Sequence, residues 1–224
     1  MAVLVLIDTA ISTASVCIAK DRVIIDEVVN TSQKDHAAWL HPAVLEILSK
    51  NGSSLSEIDG FAISAGPGSY TGLRVGMSAV KGLCYALNKP MITINTLKMM
   101  AAGVMPPPET LLCPMIDARR MEVFTAIYNG DLQEIMPPGN LILNEESFKD
   151  VLEKGRILFF GNGSDKFKNV VKHANAAFAD YKTSAAAMMQ MAFSAYEKQQ
   201  FADLAYSEPW YGKAYYLPSV KPLI

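Results

Sequence analysis

Between Phe61 and Leu87 the chain runs from a short apolar stretch, Phe61-Ala62-Ile63-Ser64, into Gly66-Pro67-Gly68-Ser69-Tyr70-Thr71-Gly72-Leu73-Arg74-Val75-Gly76 and on through a long apolar segment. That order is strand, glycine-rich turn, helix, the unit from which α/β layers are built. Unpaired backbone N–H groups at a helix start suit an anion or the polar atoms of a partner. No Lys-Ser/Thr follows the second glycine, so the loop is not a Walker A motif. The dinucleotide fingerprint fails too, because Thr71 stands where its third glycine belongs. The residues alone leave three readings open: a tight turn, a phosphate cradle or a docking surface.

Around this loop the pattern extends in both directions. Val3–Ile7 is a continuous aliphatic run ending at Asp8-Thr9. Two more strand candidates, 12–19 and 23–29, are separated by Lys20-Asp21-Arg22, a hairpin turn. A helix is expected over 35–50, closed by Asn51-Gly52, with Pro42 either near its start or kinking it. Strand 59–64, helix 71–87, strand 91–94 and a short helix over 95–103 complete a βββαβαβ order plus one helix. Met105-Pro106-Pro107-Pro108 then marks a boundary, since prolines cannot continue a helix. The expected division is a first lobe over 1–104 and a second over 105–224. Beyond it, strands are expected at 111–116, 122–128 and 133–143, with a turn at Asn129-Gly130-Asp131. A helix follows over 145–154, then a strand over 156–160, Gly161-Asn162-Gly163-Ser164, a helix from Asp165 and a Met- and Ala-rich helix over 185–200. The second half repeats the first in outline without repeating its sequence.

Charge and cysteine content narrow the classes of function. The formal net charge is −2, so no global basic field for nucleic acid exists. Cys17, Cys84 and Cys113 are scattered through apolar runs, as expected of buried thiols in a reducing compartment. Met1–Ile7 lacks the basic region of a signal peptide, and Arg74 and Lys81 interrupt the longest apolar run. The expectation is a cytoplasmic protein without a membrane partner.

Few residues carry the pattern of catalysis. His36 and His41 are five apart and fall on different helix faces, unlike the i, i+4 pair of a zinc helix, and neither HExxH nor G-x-S-x-G occurs. Asp8, with Thr9, Ser12 and Thr13 near it, either holds a phosphate or magnesium or caps a turn. Asp117-Ala118-Arg119-Arg120 either reaches an anion or is a plain connection. Trp210-Tyr211-Gly212-Lys213-Ala214-Tyr215-Tyr216 either stacks on nucleic-acid bases or folds back on the core.

The helix 71–87 suggests a surface instead. Arg74, Ser78, Lys81, Tyr85 and Asn88 form one polar stripe, and nearly everything else is apolar or small. Such a helix needs cover on more than one side. Gly68, Gly72 and Gly76 recur every four residues and would leave a groove for another helix. The candidate interface is therefore His36, Trp39, Leu40, Tyr70, Leu73, Arg74, Gly76, Met77, Val80 and Lys81, covered partly within the molecule and partly by a neighbour.

Three segments together, Leu6-Ile7-Asp8-Thr9, the glycine loop 66–76 and Asp117-Ala118-Arg119-Arg120-Met121-Glu122-Val123-Phe124, resemble the TsaB family, also called YeaZ. The resemblance implies a two-lobed, actin-like fold of the ASKHA, or ribonuclease H-like, type, each lobe a βββαβαβ core, the second degenerate. It also implies a non-catalytic subunit needed for threonylcarbamoyladenosine (t6A) modification of tRNA, which docks on and activates a TsaD-type catalytic subunit. By the same resemblance a TsaE-type ATPase joins the complex, the chain pairs with itself when alone, and tRNA is met through the complex. No cofactor is required by this chain itself, nucleotide lying at the junction with partners. The resemblance also implies that TsaD carries two metal-binding histidines with three residues between them; Thr96 and Met100 fall at those positions here, and neither replaces imidazole. Two rival functions are a small-molecule kinase of the same fold using Asp8 and the two loops, and a glycoprotease-like peptidase.

Overall fold

A computed structural model describes residues 1–32 and 35–212. In the first lobe the strands are β1 (Val3–Asp8), β2 (Ala14–Lys20), β3 (Val23–Asn30), β4 (Gly60–Ser64) and β5 (Met91–Ile94). Its helices are α1 (His36–Lys50), α2 (Tyr70–Leu87) and α3 (Thr96–Ala102). The second lobe holds β6 (Leu111–Asp117), β7 (Glu122–Tyr128), β8 (Glu134–Ile142), α4 (Lys149–Leu152), β9 (Ile157–Phe160), α5 (Ser164–Lys168) and β10 (Ala176–Ala179). A 3-10 turn at Ala185–Met188 leads into α6 (Met189–Glu197). Each lobe is thus βββαβαβ.

The two sheets share one topology. The first has the order β3-β2-β1-β4-β5 and the second the order β8-β7-β6-β9-β10. In both, the first three strands are antiparallel and the last two run parallel to the first. The β2–β3 hairpin turns on Asp21 and Arg22, both at positive φ (47° and 65°), the geometry of a two-residue type I′ turn.

Burial explains why β1 is an unbroken aliphatic run. Val5 and Ile7 pack with Leu40, Val44, Ile47, Met77 and Val80 of α1 and α2. Leu4 and Leu6 face the other way, onto Ala185, Met188, Ala192 and Phe193. A central strand covered on both sides has no solvent face and needs no polar alternation. The second sheet is covered likewise: Leu112, Ile116 and Phe124 meet Leu97, Met100 and Ala101 of α3, while Cys113, Met115 and Phe159 meet Phe148, Leu152 and Phe167. The segments on the inner faces are therefore exchanged. α3 follows the first lobe in sequence yet packs on the second sheet, and 185–197 follows the second yet packs on the first.

Several elements differ from the sequence expectation. Pro42 lies inside α1, which runs unbroken from His36. The helix expected over 145–154 contracts to four residues, because Phe148 adopts a left-handed φ of 64° and Asn144 with Ser147 forms a side-chain turn. The helix expected over 185–200 opens as a 3-10 turn because Ser15 Oγ accepts the Ala185 N–H and Ser184 Oγ accepts that of Ala186. β10 went unanticipated. Its sequence, Ala-Ala-Phe-Ala, has weak strand propensity and extends only by pairing with β9.

Candidate functional site

The glycine loop joins β4 to α2. Ser69 caps α2, its Oγ accepting the Gly72 N–H at 3.3 Å. The glycines are there for close approach: a Cβ on Gly68 would land on the Ala10 carbonyl oxygen, one on Gly72 on that of Thr9, and one on Gly76 on Thr9 Oγ1. Thr9 Oγ1 donates to the Gly72 carbonyl at 2.8 Å, and Ser69 N–H donates to Ala10 O at 2.6 Å. The groove expected for another helix is thus already filled by the Thr9–Ala10 turn of the same chain. Gly66, at a φ of 110°, lies against the Trp210 carbonyl.

Asp8 ends β1 at 0% exposure. Ser64 Oγ and the Ala10 N–H donate to its Oδ1, and Oδ2 has no partner among the described residues. Burial outweighs both hydrogen bonds and pushes its pKa from 3.8 up to about 6. Its counterpart at the end of β6, Asp117, is the reverse. Arg119 N–H and Lys166 Nζ donate to its Oδ1, at 2.6 and 2.7 Å, and its own N–H donates to Asn162 Oδ1 at 2.9 Å. Partial burial pushes the Asp117 carboxyl up, but the Lys166 ammonium and the Arg119 amide prevail and hold it below the usual range. Both aspartates thus organise the turn after the first strand of their lobe; the loop after the fourth strand presses against that turn in the first lobe (66–72 on Thr9 and Ala10) and against the end of the strand itself in the second (161–163 on Met115, Ile116 and Asp117).

Between the lobes these four loops enclose a cleft of about 670 Å³. The start of α2 and His36 line one wall, and Ile116, Phe124, Arg119 and Asn162 line the other. His36 is 7% exposed, and both its ring nitrogens are without partners among the described residues. Asp8 is not among the residues lining the cleft. Its position is that of a turn organiser held by Ser64 and Ala10.

Of the ten residues expected at an interface, His36, Leu40, Leu73, Gly76, Met77 and Val80 are buried within the first lobe. Five of them pack in or beside its core, and His36 lines the interlobe cleft. Trp39 and Lys81 are half-buried; Tyr70 and Arg74 are exposed. The Arg74 guanidinium sits 4.3 Å from the Tyr70 ring centre, and its Nε donates to Tyr211 Oη at 3.0 Å. Lys81 Nζ donates to the Ala205 carbonyl at 3.4 Å. Residues 202–211 therefore cross the polar stripe of α2, and the aromatic stretch folds back as far as Gly212. Residues 213–216, named with it above, lie outside the described residues.

What α1 and α2 do leave open is a stripe of Ala38, Pro42 and Leu45 on α1, and of Gly82, Ala86 and Tyr85 on α2, the last a member of the polar stripe that stays exposed. Leu45 is 54% and Tyr85 84% exposed, large fractions for such side chains. A Cβ on Gly82 would meet nothing within 4 Å. The signal for this stripe was in the sequence: Leu73, Met77, Val80 and Cys84 form a complete buried face, so the small residues opposite them had to point outward.

Little else offers chemistry. Burial pushes each of the three cysteine thiols up to about 12, too high for a thiolate at neutral pH. His41 is exposed, and His173 Nδ1 accepts the Asn175 N–H at 3.2 Å. Among the described residues no three His, Cys, Asp or Glu side chains stand together as metal ligands, and no helix is long and apolar enough to cross a membrane.

A duplicated βββαβαβ sheet with a cleft between the copies defines a two-lobed, actin-like α/β protein of the ASKHA class. The solved structure of YeaZ from Pseudomonas aeruginosa has the same fold: it superposes with a TM-score of 0.80 at 22% identity, covering 94% of this chain and all of that one. The model of the family described as TsaD, tRNA N6-adenosine threonylcarbamoyltransferase, matches residues 24–209. The protein described as tRNA threonylcarbamoyladenosine biosynthesis protein TsaB from Bacillus subtilis is 29% identical over 170 residues, 74% of this chain and 73% of that protein. Its namesake from Buchnera aphidicola is 31% identical over 173 residues, 74% and 77% of the two chains. The chain belongs to the TsaB family, within the wider TsaD group.

Proposed function

We propose that this chain is a non-catalytic subunit of the t6A-forming machinery, which docks on a TsaD-type subunit and holds it in an active arrangement. The observation that carries the reading is the open stripe of α1 and α2. It is apolar, lined by small residues, and rigidly mounted on the core. Since the TsaD family model fits this chain too, a TsaD partner would bring equivalent helices, and two such pairs can pack about a pseudo-twofold axis as a four-helix bundle. The same stripe would serve a self-dimer when TsaD is absent. A TsaE-type ATPase and nucleotide would join at the junction, and tRNA would be met through the complex.

Support for a non-catalytic role comes from α3. Thr96 and Met100 stand where the family resemblance expects metal-binding histidines in TsaD. Thr96 Oγ1 accepts the Gly66 N–H at 3.0 Å, and Met100 is packed in the core between the lobes. Both positions serve structure.

The substitution Gly82→Arg tests the docking surface. In an exposed helix interior, losing a glycine stabilises the chain by up to about 1 kcal/mol. The expected outcome is an unchanged or raised melting temperature with loss of co-elution with TsaD in size-exclusion chromatography. An intact complex would refute this surface.

A further inference from the structure

The segment after α6 does more than cover one side of α2. We propose that residues 202–212 are a latch that holds the second lobe against the first, and that releasing it lets the lobes part. The chain itself passes between the two sheets twice, once between β5 and α3 and again over 180–184. The strap adds a third, non-covalent tie beside the interlobe cleft.

Its hold on the first lobe is distributed. The Ala202 N–H donates to the Met91 carbonyl at 2.8 Å, so the strap bridges onto the edge strand β5. Ala202 and Leu204 pack on the core beneath. The Trp210 N–H donates to the Ala65 carbonyl at 2.8 Å. Tyr211 then clasps the start of α2: its ring centre lies 4.9 Å from that of Tyr70, and its Oη accepts from Arg74 Nε at 3.0 Å. One residue further on, the chain reaches the other lobe. Gly212, at a φ of 73°, lies so close to the Phe124 ring of β7 that a Cβ would stand 2.5 Å from its Cε1. Glycine is needed there on both counts, for the left-handed backbone and for the close approach. Phe124 lines one wall of the cleft, and Tyr70 and Gly72 line the other. Residues 210–212 therefore bridge from Gly66 to Phe124. The two ends of the tie are unequal. Backbone bonds and apolar packing fix the strap to the first lobe, whereas its contact with the second rests on one glycine against one ring. Such a tie gives way at its weaker end first, which defines a latched and an open arrangement of the lobes, with the strap on the first lobe in both.

Spin labels on the full-length protein, one in each lobe, test this by pulsed dipolar spectroscopy. Ser49→Cys in α1 and Lys154→Cys after α4 are exposed attachment points. The native Cys17, Cys84 and Cys113 are buried, with thiols pushed up to about 12, so the introduced cysteines are the ones that react. The expected result is one narrow label separation in the labelled parent. Gly212→Val, which drives a side chain into the Phe124 ring, and Tyr211→Ala, which removes the clasp, should each add a second separation, the share of open molecules rising about tenfold. Tyr70 and Arg74, the partners of Tyr211, are both exposed, so Tyr211→Ala should fold whatever Gly212→Val does. Tyr206→Ala, on the same strap with its side chain in solvent, should leave the single separation unchanged. An unaltered separation in both latch variants, or the same second separation in Tyr206→Ala, would overturn the proposal. Docking through Gly82 is read separately, by co-elution, and neither result decides the other.

Discussion

The two lobes are built on the same plan, yet they carry very different helices. Both run βββαβαβ with the same strand order, both end their first strand in an aspartate, and both press a glycine loop against the end of that strand or the turn just after it. In the first lobe that loop opens an 18-residue helix, and a 15-residue helix packs beside it. In the second the corresponding helices have five and four residues, and Phe148, Phe159, Phe167 and Phe178 fill the sheet's outer face. Four and five residues are too few to present a docking stripe. The sheet can thus be duplicated while the long helix pair stands on one copy only.

The sharpest way to break this comparison is at the glycines. A Cβ at Gly72 collides with the Thr9 carbonyl, a backbone atom that cannot move without displacing β1. We expect Gly72→Ala to lose about 3 kcal/mol or more in chemical denaturation. At Gly163 in the second lobe the nearest atoms, Val123 Cγ1 at 2.9 Å and Ile116 C at 3.0 Å, lie further off. Gly163→Ala should cost only about 1 kcal/mol. Equal losses would mean that the two loops are equally braced.

The paired aspartates sharpen the comparison through pH. Burial raises Asp8 from 3.8 to about 6, so folding favours its protonated form. Its contribution is complete below the ordinary carboxylate range and is lost as pH rises through about 6, by about 3 kcal/mol at most. Asp117 is lowered, so its contribution is present above the ordinary value and is lost as pH falls through its depressed folded value. Its side chain is 40% exposed, which limits the effect to less than about 1 kcal/mol. Stability measured by urea denaturation from pH 3 to 8 should therefore respond oppositely in the two variants. Asp8→Asn should flatten the decline between about pH 4 and 6, and Asp117→Asn should flatten the weaker decline at acid pH. The same sign for both would contradict the burial difference between the lobes.

Much of this could be read in the residues. The aliphatic run of β1, the turn at Asp21-Arg22 and the Asn51-Gly52 end of α1 are local signals, each set by backbone chemistry within a few positions. Misreadings occurred where a distant segment intervened. The spacing of Gly68, Gly72 and Gly76 fitted a helix groove, but the filling atoms come from Thr9, 63 residues from its bond partner Gly72. Arg74 and Lys81 read as an open polar stripe, yet they are met by Tyr211 and Ala205, 137 and 124 residues away. β10 has no local signal and exists through its pairing alone.

The order of elements apart from β10, their doubling in outline and the family were thus settled by the sequence, because hydrophobic period and turn chemistry act over a few residues. Which face of α2 is core, which is crossed by residues 202–211 and which stays open was decided only by the tertiary structure. A helix apolar around most of its circumference carries no record of which neighbour covers each side. That depends on segments brought together by folding, and here they come from both ends of the chain.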